Sequence, residues 1–135
     1  MNRFVFRLAN LLRLRGVEED KKKREFGSAM GHFVNEEDKL KKLGATLRDH
    51  EKMMEEKGAG TISARELHNN FGYARSLDGR IEEQQKNVKR SEDAVNIKRD
   101  ELAEASKHKK ILERLKDRDR EEHDRVLCVP VEVNC

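Results

Sequence analysis

The sequence predicts an all-α fold: one long antiparallel coiled-coil hairpin of two helices. Three observations carry the prediction. Charged residues make up 42% of the 135-residue chain against 35% hydrophobic and 4% aromatic ones, with one proline and no tryptophan. That is the composition of a long helix that buries a seam. Apolar residues then recur every seventh position over most of the chain, and a single glycine-rich break divides this series in two.

The first helix is expected over about 3–57. Its column is Phe26, Phe33, Leu40, Leu47 and Met54, spaced by seven, the signature of a coiled-coil seam on helix-forming sequence. The break is Glu56–Ser63, EKGAGTIS, giving a turn over about 58–63. Gly58 and Gly60 are suited to the positive φ that ends a helix. Ser63-Ala64-Arg65-Glu66 then fits a capping box, in which serine and glutamate satisfy each other's exposed amides. The second helix is expected over about 64–125, with the column Leu67, Ala74, Ile81, Val88, Val95 and Leu102. Folding back at the turn sets Met54 opposite Leu67, Leu40 opposite Ile81 and Phe26 opposite Val95. Each arm would run about 80 Å at 1.5 Å per residue. Residues 1–127 form this hairpin domain, and 128–135, ending VPVEVNC, form a disordered tail.

The second column is less tidy. It reads Leu77, Gln84, Ser91, Lys98, Ala105 and Leu112 on the second arm, with Met30, Glu37, Leu43 and His50 flanking the first. Polar residues at seam positions lower stability and fix register. These seam-edge residues are expected to be open to partners.

The opening stretch FVFRLANLLRLRG, residues 4–16, departs from the rest: it is nearly continuously apolar and its only charges are arginines. It is too short and too charged to span a bilayer, and Arg7 and Arg13 break the apolar region a secretory signal needs. A mitochondrial presequence is an alternative, opposed by the absence of serine before Ser28. The mirror rule sets Leu8, Leu11 and Leu12 beside Ile111, Leu112 and Leu115. Phe4, Val5, Phe6, Leu8, Leu11, Leu12 and Leu14 still cover more than one helical face, and such apolar surplus marks a contact site.

Function classes narrow accordingly. A formal charge of +3 gives no basic face for nucleic acid. His32, His50 and His68 stand eighteen apart, too far along a helix to share a metal. Cys128 and Cys135 lack zinc-ligand spacing, and Gly58–Gly60 lacks the context of a phosphate loop. No catalytic, cofactor or metal site is expected.

Two segments resemble a known family. FVFRLANLLRLRGVEED matches a Phe-x-Phe-x-Leu-x-x-Leu-Leu-x-x-Arg stretch at Phe4, Phe6, Leu8, Leu11, Leu12 and Arg15. Ala105–Lys116 carries an Ala-x-x-x-Lys-Lys-x-Leu-Glu-Arg-Leu-Lys block. Together with the glycine turn, these resemble the FliJ family of flagellar type III export proteins up to about Arg125. The resemblance implies a non-enzymatic, monomeric cytoplasmic stalk similar to the rotary ATP synthase γ subunit, peripheral at the inner membrane of the flagellar base. It implies docking on the hexameric export ATPase through Phe4, Phe6, Leu8, Leu11, Leu12, Arg13, Lys110 and Arg114. It further implies contact with the cytoplasmic domain of the export-gate membrane protein through Leu43, His50, Tyr73, Leu77, Arg80 and Gln84, and in some members an escort role for export chaperones. The alternatives are the stalk of a virulence type III system and a self-associating coiled coil.

Overall fold

The computed structural model describes residues 3–58, 60 and 62–128. Two helices, α1 (Ala9–Gly58) and α2 (Ala64–Cys128), form an all-α helical hairpin. The proline-free run rich in Glu, Lys, Arg, Leu and Ala favours helix throughout. Ion pairs one turn apart, such as Lys42–Asp38 and Lys89–Asp93, decorate the outer faces. Each exposed pair contributes only a few tenths of a kcal/mol, roughly 0.3–0.5.

Helix α1 starts at Ala9, later than the expected start near residue 3. Residues 3–6 are non-helical, and the Ala9 amide donates to the Phe6 carbonyl at 3.0 Å. Phe6 is only 5% exposed. Burying that ring stabilises the chain more than one further helical turn would, so tertiary packing overrides local propensity.

The turn also differs in detail from expectation. No described glycine has a positive φ. Instead Gly58 is the last residue of α1, and the Gly60 amide donates to the Lys57 carbonyl at 3.0 Å, closing a right-handed turn. The serine half of the capping box is made: Ser63 Oγ accepts from the Glu66 amide at 3.1 Å, one residue before α2. Ala59, Thr61 and residues 129–135, where the sequence placed the tail, lie outside the described residues.

The chain divides into two compact units. The turn-bearing unit spans Ser28–Asn96, and the terminal unit is built from the residues up to Gly27 and from Ile97 onward. In the turn-bearing unit the inward column on α2 is Leu77, Gln84 and Ser91, all buried; of the expected column Ala74, Ile81 and Val88 are half-buried and Val95 is buried. In the terminal unit Ala105 and Leu112 continue that spacing and are buried, while Leu102 is half-buried. The seam therefore centres on the column the sequence ranked second. The two columns lie roughly 50° apart on a helix, and helix rotation within the pair decides between them.

Candidate docking surfaces

In the turn-bearing unit the seam is layered with polar groups. The Gln84 amide nitrogen donates to the Glu36 carbonyl at 2.9 Å and to the Glu36 carboxylate at 2.5 Å. That bond, helped by Lys39, holds the Glu36 carboxyl below its usual range against the opposing effect of burial. Ser91 satisfies its hydroxyl on the Val88 carbonyl of its own helix at 2.8 Å. His50 is buried, with Nε2 at 3.2 Å from the Asn70 carbonyl oxygen and its ring edge-on to Tyr73 at a centroid distance of 4.8 Å.

The terminal unit uses charge across the same kind of seam. Lys22 and Lys98 alternate with Glu25 and Glu101, each lysine within 3.3–3.5 Å of both carboxylates. The Lys22 bond depresses the Glu101 carboxyl, and that same bond raises the Lys22 ammonium. At Glu25 burial pushes upward, but Lys22 and Lys98 together leave it lowered. Glu19 is buried and lowered chiefly by the Ser106 hydroxyl, with Lys23 and Lys109 at 3.3 Å adding to it. The Glu19 bond raises Lys109 in turn.

At the far end of the terminal unit, the non-helical arm Arg3–Phe6 lies against the last turns of α2. Arg3, Phe4, Val5, Phe6 and Ala9 share a groove with Lys116 and Arg120. The Phe4 ring packs on His123 at 5.5 Å, and His123 Nε2 is buried with no hydrogen-bond partner among the described residues. Val5 remains 78% exposed on this arm, and Leu11 is partly exposed beside it.

One family model, that of the flagellar FliJ protein, matches residues 4–127. The chain belongs to the FliJ family. No curated protein and no solved structure matches it. FliJ proteins are structural components of flagellar protein export. Among the described residues of this FliJ chain, no helix is long and apolar enough to cross a membrane, and no cluster of His, Cys, Asp and Glu is suited to a metal.

The residues singled out from the sequence fall into two groups in this FliJ chain. At the terminal unit Phe6 is buried, Phe4, Leu8 and Leu12 are half-buried, and Leu11, Arg13, Lys110 and Arg114 are exposed. Lys110 and Arg114 line an open groove on the outer side of α2 with Lys107 and Ile111. In the turn-bearing unit Leu77, Gln84 and His50 are not open seam-edge positions: they are 2%, 8% and 6% exposed, because their column points at the partner helix. Leu43 is half-buried; Tyr73 and Arg80 are exposed. The sequence reading missed Val17 and Phe71, each 60% exposed. Both lie outside the heptad columns, where period-seven reading does not look. The seat of the arm, Lys116, Arg120 and His123, follows from the non-helical course of residues 3–6, which local propensity does not signal.

Proposed function

We propose that this FliJ chain is a non-enzymatic stalk that docks through its terminal unit on the hexameric flagellar export ATPase and touches the export gate through its turn-bearing unit. The observation that carries the reading is the apolar arm. Phe4, Val5 and Leu11 keep surface in contact with water while neighbouring arginines supply orienting charge, which is how a protein contact site differs from a finished core. The docking set is Phe4, Val5, Leu8, Leu11, Leu12 and Arg13, with Lys110 and Arg114 facing outward from α2. Phe6 acts here as the internal anchor of the arm. For the gate, the outward residues Tyr73 and Arg80 remain as the contact, bordered by Leu43, while His50, Leu77 and Gln84 hold their helix in place. Tyrosine at such a position brings a large apolar ring with a polar tip. Escort of export chaperones and a peripheral cytoplasmic location at the flagellar base belong to the same proposal.

The test is co-elution of the purified chain with its organism's flagellar ATPase. A variant carrying Phe4→Ala, Val5→Ala and Leu11→Ala runs beside it, with circular dichroism confirming that both are helical. The native chain is expected to co-elute and the variant to separate. Equal behaviour of the two refutes docking through the arm. A native chain that elutes alone with a concentration-dependent mass supports self-association instead.

A further inference from the structure

The outward face of α1 in the terminal unit is unlike the rest of that helix. Asn10, Arg13, Leu14, Val17, Lys21 and Arg24 follow one another in steps of one, three and four and so share one stripe. All six are exposed, Leu14 at 64% and Val17 at 60%. The opposite stripe, Leu12, Arg15, Glu19 and Lys22, is half-buried or buried. No carboxylate lies on the outward stripe. Between Arg3 and Arg24 there are eight basic residues and three acidic ones. Of the three, Glu18 is paired with Arg15 at 3.1 Å and Glu19 is buried in the seam, leaving Asp20 at the border of the stripe. Lys22 and Lys23 turn to Glu101, Glu25 and Glu19, whereas Arg13, Lys21 and Arg24 form no ion pair among the described residues.

We propose that this stripe adsorbs the chain to an anionic lipid surface. It runs roughly 21 Å along a convex helix face at 1.5 Å per residue. A flat bilayer surface accepts such a face without the concave complement a protein partner would need. Leu14 and Val17 protrude far enough to enter the boundary between headgroups and acyl chains, and the cations around them meet lipid phosphates. A basic cluster on an amphipathic helix is the pattern that senses anionic lipid, here the Lys21–Arg24 run with its two ends turned outward. The helix lies on the surface and does not cross it. The stripe shares Arg13 with the set assigned to the ATPase, whereas Leu14, Val17, Lys21 and Arg24 lie outside that set.

The full chain would be sedimented with vesicles of equal parts phosphatidylglycerol and phosphatidylethanolamine, and with neutral phosphatidylcholine vesicles. Binding is expected to the anionic vesicles alone and to weaken as salt rises. Lys21→Gln with Arg24→Gln should weaken it about 30-fold. Leu14→Ser with Val17→Ser should weaken it at least about tenfold, and both double variants should still co-elute with the ATPase. Absence of binding to anionic vesicles, or equal binding by the variants, overturns the proposal. Loss of ATPase co-elution by these variants with vesicle binding intact makes the stripe a protein interface and also overturns it. A native chain that binds vesicles but not the ATPase leaves this inference standing while the docking reading falls.

Discussion

Replacing Leu77 with alanine tests which face of α2 forms the seam. Leu77 is 2% exposed, the one large side chain fully buried among the described residues, and it stands one heptad before the Gln84–Glu36 layer. Removing three carbon groups at about 0.8 kcal/mol each costs roughly 2.4 kcal/mol of transfer free energy. A two-helix pair can close part of the gap, so the total should sit near the low end of measured leucine truncations, about 2.5–3 kcal/mol. Ile81 belongs to the column with the tidier sequence pattern but is only half-buried. Its truncation should cost about half as much, roughly 1–1.5 kcal/mol. Urea unfolding followed by ellipticity at the helix band, with the slope checked for constancy, reads both values. If Ile81→Ala costs as much as Leu77→Ala or more, α2 is rotated from the orientation described, and the assignment of Leu77, Gln84 and Ser91 to the interior is wrong.

Other perturbations probe the caps, the glycines and the charges. Ser63→Ala removes the acceptor for the Glu66 amide and should destabilise the chain by about 1 kcal/mol, seen as a lower urea midpoint. A Cβ placed on Gly31 or Gly72 meets no atom within 4 Å, so alanine at either position should raise stability by about 0.5–1 kcal/mol; a loss would mean the outer face there is not free. The carboxyls of Glu19, Glu25, Glu36 and Glu101 are all lowered in the folded chain. Their contribution is complete above the unfolded carboxylate value of 4.5 and disappears as pH falls through the lower folded values, so the urea midpoint should drop below that pH. Lys22 and Lys109 are raised, so their contribution is complete below 10.5 and fades as pH rises past it. A midpoint independent of pH on both sides would refute the cross-seam ion pairs.

Hairpin, turn and second-helix cap are legible because they rest on local chemistry. A period of seven needs no knowledge of the partner, and the Ser63 hydroxyl reaches the Glu66 amide within a single turn. The facing column is different. Leu67, Ala74, Ile81 and Val88 read as the better seam on hydrophobicity alone, yet the rotation of α2 buries Leu77, Gln84 and Ser91. That rotation is settled by the sum of contacts with α1, Glu36 and His50 among them, and no run of α2 contains it. The arm fails for a related reason. Phe4–Leu8 has helical propensity, but its course is decided by the buried seat of Phe6 against residues more than one hundred positions away. The exposed side chains of Val17 and Phe71 are invisible to a heptad reading because they belong to neither column.

The polar layers decide the register of the turn-bearing unit. Leu–Leu layers are tolerant: a slip of one heptad replaces one apolar contact with another. The Glu36 layer is not. Moved by seven residues, Glu36 would face Leu77 or Ser91 in place of Gln84, and its buried carboxylate would lose the amide that holds it. Left with Lys39 of its own helix alone, the buried carboxylate loses the bond that chiefly holds it, and apolar packing elsewhere in the slipped pair does not replace that hydrogen bond. His50 adds a second constraint through the Asn70 carbonyl and the Tyr73 ring. The hairpin thus gives up apolar contact inside its seam for a unique alignment, and several apolar side chains, such as Val5, Leu14 and Val17, stand outside it. A chain that draws its register from polar layers can leave apolar surface exposed for partners without losing its own alignment. Replacing Glu36 and Gln84 together with leucine should therefore raise the urea midpoint while blurring register, detectable when cysteines placed at 33 and 81, or at 33 and 95, cross-link as well as cysteines placed at 33 and 88. Cross-linking of the 33 and 88 pair alone in the leucine variant would show that register is set elsewhere.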